Sequence, residues 1–258
     1  MKYAMVDGQR REALSGLLGR CPKCDAVMTP KCGRFRVAHW AHPPGSFDHQ
    51  WEPETEWHRN WKECFPREWQ ELVHQARNGE RHIADVKTGH GLVIEFQHSD
   101  ISEEERRSRE AIYIPMCWVV DGLRLKGDIR RFIEALRCGR RLSATPLILI
   151  APVAKCILLR KWADSRVHVY FDFGGPVLWA SLPRRPNGFA VLVPIPRKNF
   201  IECMTKGEPI NFPKLIRRTR RLSVPQVIPS PPHPWKPRPQ TFEQYMARRR
   251  RAQARIRF

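Results

Sequence analysis

The pattern of apolar and polar positions divides this chain into many short elements, and the clearest of them spans 82–99. Two apolar, β-branched runs, His82-Ile83-Ala84-Asp85-Val86-Lys87 and Leu92-Val93-Ile94-Glu95-Phe96-Gln97, flank Gly89-His90-Gly91. Such runs on either side of a glycine-bearing turn predict a β-hairpin. With a three-residue loop, a common hairpin connection, Asp85 falls opposite Glu95, and opposed residues share a face. Gln97 then joins Glu95, and Lys87 joins Asp85. A two-residue loop would split the two carboxylates across the sheet. Upstream, Trp57, Trp61 and Phe65 recur at helical spacing behind Pro53 and several acidic residues, which predicts a helix. At about 100° per residue, Glu54 falls in the middle of that aromatic stripe with His58 beside it, while Glu56, Arg59, Asn60 and Glu63 form a solvated face.

Residues 69–76 predict a strand. Ser102 ahead of Glu103-Glu104-Glu105 predicts an N-capped helix, 116–120 a buried strand and 126–138 a closing helix. The resulting order is αβββαβ, in which a parallel return requires the crossover helix. Beyond Arg141, apolar runs at 147–151, 156–162, 167–173, 177–182 and 189–194 predict a small antiparallel sheet. From Pro213 onward Pro and Arg dominate, and too few large apolar residues remain to offset the entropy of ordering, so a largely disordered tail is expected.

Charge narrows the partners. The chain has 258 residues with 46 Lys+Arg against 26 Asp+Glu, a formal net charge of +20. Such an excess favours polyanions, nucleic acid first and a membrane surface second. The first seven residues lack the apolar core of a signal peptide. The longest apolar run, 146–159, is broken by Pro152 and Lys155 and is too short to span a bilayer. A soluble, cytoplasmic protein without membrane insertion is therefore expected, with its cysteines reduced. Of the eight cysteines only Cys21, Cys24 and Cys32 cluster; the others sit in apolar surroundings. Cys21-Pro22-Lys23-Cys24 followed by His39-Trp40-Ala41-His42 has spacing close to that of zinc ligands, because sulfur and imidazole suit a small tetrahedral cation. The expected set is Cys21, Cys24, His39 and His42, with Cys32 in reserve. The alternative is a reduced loop with a histidine packed on Trp40.

Asp85 and Glu95 each lie between apolar neighbours, and an ionised carboxylate there is costly unless it is paired or holds a cation. Arg106, Arg109 and Tyr113 share a helix face from which they could reach phosphates. In the tail, Arg217, Arg218, Arg220, Arg221 and Arg248, Arg249, Arg250, Arg251 suit backbone contacts without sequence readout.

Asp85, a hairpin and then Glu95-Phe96-Gln97 resembles the PD-(D/E)xK nuclease core, with glutamine where lysine is usual. Trp51-Glu52-Pro53-Glu54-Thr55-Glu56-Trp57-His58, Val93 to Ser99 and Ile101-Ser102, together with the upstream Cys/His cluster, are similar to the competence protein CoiA-like family. The resemblance is best over the first half of the chain. It implies an α/β fold with an N-terminal zinc-binding module (1–50) and a PD-(D/E)xK nuclease-like αβββαβ core (51–141). A small C-terminal antiparallel β domain (142–212) and a basic Pro/Arg-rich tail (213–258) would complete the chain. It also implies a DNA substrate, single-stranded DNA included, and Mg²⁺ or Mn²⁺ held by Glu54, Asp85 and Glu95, with Gln97 beside them. Lys87 is the candidate for the missing ammonium. Two rival readings stand beside the nuclease: a non-catalytic DNA-binding recombination or uptake factor with a degenerate site, and an RNA-binding protein whose carboxylates are structural.

Overall fold

The computed structural model describes residues 1–33, 37–43, 55–75, 79, 81–183 and 188–212, all of which fall in one compact unit, Met1–Arg221. Near the N-terminus, β1 (Tyr3–Val6), β2 (Gln9–Glu12), β3 (Gly19–Arg20), β4 (Val27–Lys31) and β5 (His39–Ala41) form a five-stranded sheet in the order β2-β1-β3-β4-β5. Its small core of Ala4, Val6, Ala13, Cys21 and Met28 is organised on Trp40. Gly19 permits that packing: a Cβ there would lie 2.8 Å from the Ala4 methyl and 2.9 Å from the Trp40 ring.

The following elements are α1 (Glu56–Lys62), β6 (Gln70–Gln75), β7 (Arg81–Lys87), β8 (Val93–Gln97), α2 (Glu103–Ile112) and β9 (Met116–Asp121). This is the αβββαβ order that the hydrophobic pattern predicts, and Ser102 caps α2 by accepting from the Glu105 amide at 3.1 Å. Next come α3 (Asp128–Arg137), β10 (Arg140–Ala144), β11 (Leu147–Pro152), α4 (Ile157–Lys161), β12 (His168–Asp172), β13 (Val177–Ser181), β14 (Phe189–Pro196) and α5 (Arg197–Lys206).

Two expectations for 142–212 are corrected. The strands there do not build a separate sheet. They continue the first one into a nine-stranded sheet ordered β10-β11-β14-β13-β12-β9-β8-β7-β6. The junction is β12 lying parallel to β9, Val169 beside Trp118. Every residue of β9 is buried, and a strand covered on both faces is at home with a parallel neighbour on each side. The run 156–162, read as a strand, is instead α4 and its flanks, with Leu158, Leu159 and Trp162 buried at helical spacing.

The aromatic stripe of α1 packs as the periodicity predicts. Trp61 stacks on Phe96 with ring centroids 5.5 Å apart, and Trp57 and Phe65 approach the same ring at 6.3 and 6.4 Å. The opposite face is not wholly solvated: Arg59 donates to the Ala38 carbonyl at 2.6 Å, because the N-terminal module covers that side. Pro53 and Glu54 lie outside the described residues; the regular helix opens after its cap, Thr55.

One buried carboxylate anchors α1 to the far half of the sheet. Asp172 Oδ2 accepts from the indoles of Trp57 (3.0 Å) and Trp61 (2.9 Å), while its Oδ1 takes the Gly174 amide at 2.8 Å and the Arg197 guanidinium. Trp57→Phe is expected to cost about 1 kcal/mol, one net hydrogen bond, in urea unfolding. Among the described residues no helix is long and apolar enough to cross a membrane.

Candidate metal and carboxylate sites

Val86 lies opposite Ile94 and Lys87 opposite Val93. The Thr88 amide donates to the Leu92 carbonyl at 2.9 Å, and Gly91 takes φ +83. The loop is thus Gly89-His90-Gly91, and the register sets Asp85 against Glu95. At that position side chains replace the backbone ladder. The Asp85 amide donates to Glu95 Oε1 at 3.2 Å, and the Phe96 amide donates to Asp85 Oδ2 at 3.0 Å. Each acid therefore holds the backbone of its neighbour's strand, which fixes both carboxylates.

Their electrostatics are strained. Burial pushes the Asp85 carboxyl above its usual range, opposed by the charges of Lys62 and His58, the Phe96 amide and Arg109. Burial, reinforced by the Asp85 charge, pushes Glu95 up to about 7 against the pull of Arg109. Arg109 Nη1 lies 2.8 Å from Glu95 Oε2, and its Nη2 lies 2.6 Å from Glu105 Oε1. Proton linkage gives the sign. A carboxyl raised by folding makes the native state bind the extra proton, so the Glu95 contribution falls as pH rises from about 4.5 to about 7.

Gln97 is buried, and its amide nitrogen donates to the Ser99 carbonyl (3.2 Å) and hydroxyl (3.3 Å), which pins the turn after β8. Lys87 Nζ lies 3.5 Å from His74 Nδ1. The His74 ring packs edge-on against Tyr113 at 5.2 Å, and the Tyr113 phenol is raised by burial and by the charge of Glu95. Lys62 is the lysine whose charge acts on Asp85. Its Nζ sits 2.6 Å from Glu71 Oε1.

Glu71 is an unusual residue. It is buried, holds φ at +47, and accepts from the Lys2 and Tyr3 amides at 2.9–3.0 Å as well as from Lys62. A non-glycine residue at positive φ persists only where its surroundings impose it. Here three donors on one carboxylate impose it, and they join β1 of the N-terminal module to β6 and α1.

The arginines of α2 correct an expectation. Arg106 is 1% exposed, not phosphate-facing. It bonds Glu110 at 3.1 Å and the Asp164 carboxylate, and lies over the Trp162 ring. Arg109 is committed to two carboxylates as described. Glu54 and all the candidate tail arginines (Arg217, Arg218, Arg220, Arg221 and Arg248–Arg251) lie outside the described residues.

A comparison of the chain with family profiles, curated proteins and solved structures finds no match. Among the described residues, one group of three ligand-type side chains has all its ligand atoms within 4.8 Å of one another: Cys21, Cys24 and His42. This group can hold a metal ion, and its two sulfurs and imidazole suit zinc. Cys24 Sγ lies 3.5 Å from His42 Nε2. The Cys21 sulfur accepts from the Lys23 amide at 3.4 Å, and the Asp25 amide donates to the Cys21 carbonyl at 2.9 Å, so the turn curls round the first thiol. Two expected or reserve ligands are outside this group. His39 points Nδ1 at the Val37 carbonyl (2.8 Å), and the Cys32 thiol points at the Ala13 carbonyl (3.5 Å).

Lys62 with Glu71, and His98 with Asp121, are polar pairs that the local pattern of the sequence does not predict. His98 Nδ1 lies 2.8 Å from Asp121 Oδ2, with the His58 ring 5.9 Å and the Trp57 ring 6.2 Å away. Only Asp121, at the end of the apolar run Trp118-Val119-Val120, carried a local signal; Lys62, Glu71 and His98 each have a polar neighbour in sequence.

Proposed function

We propose that the chain is a metal-dependent nuclease acting on DNA phosphodiesters, the activity implied by its resemblance to the PD-(D/E)xK core of the CoiA-like family. The observation that supports this best is the interlocked Asp85–Glu95 pair. Holding two like charges together in a buried setting costs several kcal/mol unless a cation or a reaction makes use of them. Hard oxygen donors suit Mg²⁺ or Mn²⁺, and Glu54, Asp85, Glu95 and the Phe96 carbonyl would hold the ion. Such a cation would neutralise charge on the phosphoryl oxygens and acidify a nearby water.

The remaining roles belong to the protein's own side chains. Lys62 favours the ionised form of Asp85. Gln97 keeps the end of β8 in place; an amide cannot take the proton that a lysine would. Lys87, supported by His74, is assigned to the substrate phosphate. A Glu95 proton leaving at about 7 means that divalent-cation affinity should strengthen as pH rises through neutrality. Zn²⁺ at Cys21, Cys24 and His42 would be structural. Cys24→Ser is expected to reduce bound zinc by elemental analysis and to lower the Tm.

The test is cleavage of single- and double-stranded DNA by purified protein with Mg²⁺ or Mn²⁺. Lys87→Ala should cut more slowly than the wild type in Mg²⁺ and bind DNA with a slightly shallower salt dependence, as loss of one phosphate contact requires; cleavage at the wild-type rate would remove Lys87 from the site. Wild-type protein that cuts neither substrate would overturn the proposal. A second reading, a DNA-binding recombination or uptake factor with a degenerate site, draws support from Arg109 occupying Glu95 Oε2. Binding without cleavage in the same assay would select it.

A further inference from the structure

We infer that the surface made by α3 and β10 docks the sugar-phosphate backbone of nucleic acid, away from the Asp85–Glu95 pair. The inference shares with the proposal above only the class of ligand.

Lys126, Arg130, Arg137, Arg140 and Arg141 are all exposed, and among the described residues none has a carboxylate within 4.0 Å. Among the described residues other exposed cations, Lys31, Lys155, Arg160, Arg166 and Lys206, also have no carboxylate within 4.0 Å, so what marks this surface is the closeness of its cations to one another. Elsewhere several are neutralised in place. Arg107 pairs with Asp164, Arg109 with Glu95, Lys161 with Asp100 and Arg197 with Asp172. Even Arg131 of α3 leans back to within 3.9 Å of Asp128. From 126 to 141 the one exposed acid is Glu134, since Asp128 is buried.

The fold gathers four of these cations, Lys126, Arg130, Arg137 and Arg141, on one side. Arg130 and Arg137 are seven residues apart, so they stand about 20° apart around α3. Between them Ile133 is 38% exposed, while Phe132 and Ala135 face the sheet core. The helix then ends tightly against β11: a Cβ on Gly139 would lie 2.3 Å from the Ile150 carbonyl oxygen. That close approach brings the chain straight from Arg137 into the edge strand β10, where Arg141, opposite Leu149, lies on the α3 side and Arg140, opposite Ile150, on the other face.

Local explanations cover only part of the set. Charge on an edge strand blocks unwanted pairing, which accounts for Arg140 and Arg141. A cation in the last turn complements the helix dipole, which accounts for Arg137. Neither accounts for Arg130 or Lys126, nor for the scarcity of acid across the whole face. Phosphates at regular spacing would satisfy Lys126, Arg130, Arg137 and Arg141, with Ile133 resting on sugar carbons.

The test is binding of the full-length protein to a labelled DNA duplex and to a labelled single strand, by fluorescence anisotropy without added divalent cation. Salt is varied between about 50 and 200 mM, and every phosphate that goes unneutralised should make the negative slope of log K against log salt shallower by about 0.9. Arg130→Gln/Arg137→Gln/Arg141→Gln should make the slope shallower by about 2–3 and weaken binding about tenfold or more. Lys31→Gln/Lys198→Gln/Lys206→Gln removes the same charge from other exposed positions and should change the slope by less than one. Equal effects of the two triples would overturn the inference, as would an unchanged slope in the first. Loss of binding to phosphatidylserine vesicles with DNA binding intact would also overturn it and assign the face to membrane. Circular dichroism and Tm confirm that each variant is folded. Because the readout is binding, a wild-type protein that binds but does not cut would overturn the nuclease and leave this docking face standing.

Discussion

Glu95→Gln is expected to reduce Mg²⁺-dependent DNA cleavage by about 10²–10³-fold, the scale on which losing one pre-placed charge-stabilising group slows an enzyme, with Asp85→Asn doing the same. Their stability should move in a different way. In Asp85→Asn the side-chain amide oxygen can still accept from the Phe96 amide, and in Glu95→Gln it can still accept from the Asp85 amide. Replacing Glu95 also removes a carboxyl that folding holds up to about 7. At pH 8, where that group is ionised in the wild type, Glu95→Gln should unfold at the same denaturant concentration or a higher one. A residue whose loss abolishes turnover but not stability is retained for chemistry. If cleavage survives both substitutions, the two carboxylates are not the metal-binding pair.

Glu71→Gln should show the reverse pattern, a loss of about 3–5 kcal/mol of stability at pH 7, because the substitution removes the buried carboxylate that pairs with the Lys62 ammonium at 2.6 Å. Guanidinium unfolding monitored by tryptophan fluorescence would measure it. The pH dependence follows from the donors around the carboxylate: burial raises its pKa, but Lys62, the chain's amino terminus and the Lys2 amide outweigh it and hold Glu71 at about 2. A carboxyl lowered from 4.5 to about 2 contributes on the order of 3 kcal/mol, present in full above pH 4.5 and lost as pH falls toward 2. The wild type should therefore have a steeper acid limb than Glu71→Gln. Equal limbs would mean that the ion pair contributes nothing.

The hairpin could be read from sequence because alternation of period two and a glycine-bearing loop leave one register that keeps Asp85 with Glu95. The stripe of Trp57, Trp61 and Phe65 was equally legible, since residues at helical spacing must share a buried surface, here Phe96. What failed has physical causes of its own. The pairing of β12 with β9 joins residues about fifty positions apart, and local patterning carries no information at that range. The run 156–162 is short enough that a buried helix and a buried strand look alike. Arg106 looked solvent-facing because helix charges usually are, and its partners Glu110 and Asp164 converge only once α2 and α4 are packed. The Lys62–Glu71 pair was hidden for the same reason: it exists only after α1 folds back over β6.

The Glu71 carboxylate also bears on how the protein can be dissected. It grips the amides of Lys2 and Tyr3 while holding the α1 lysine that acts on Asp85. A fragment cut away before α1 would strand a charged acceptor at the border of the large sheet and release the helix beside the acids. Cloning boundaries drawn there should yield insoluble material, and the Cys/His segment and the catalytic candidate belong in one expressed polypeptide.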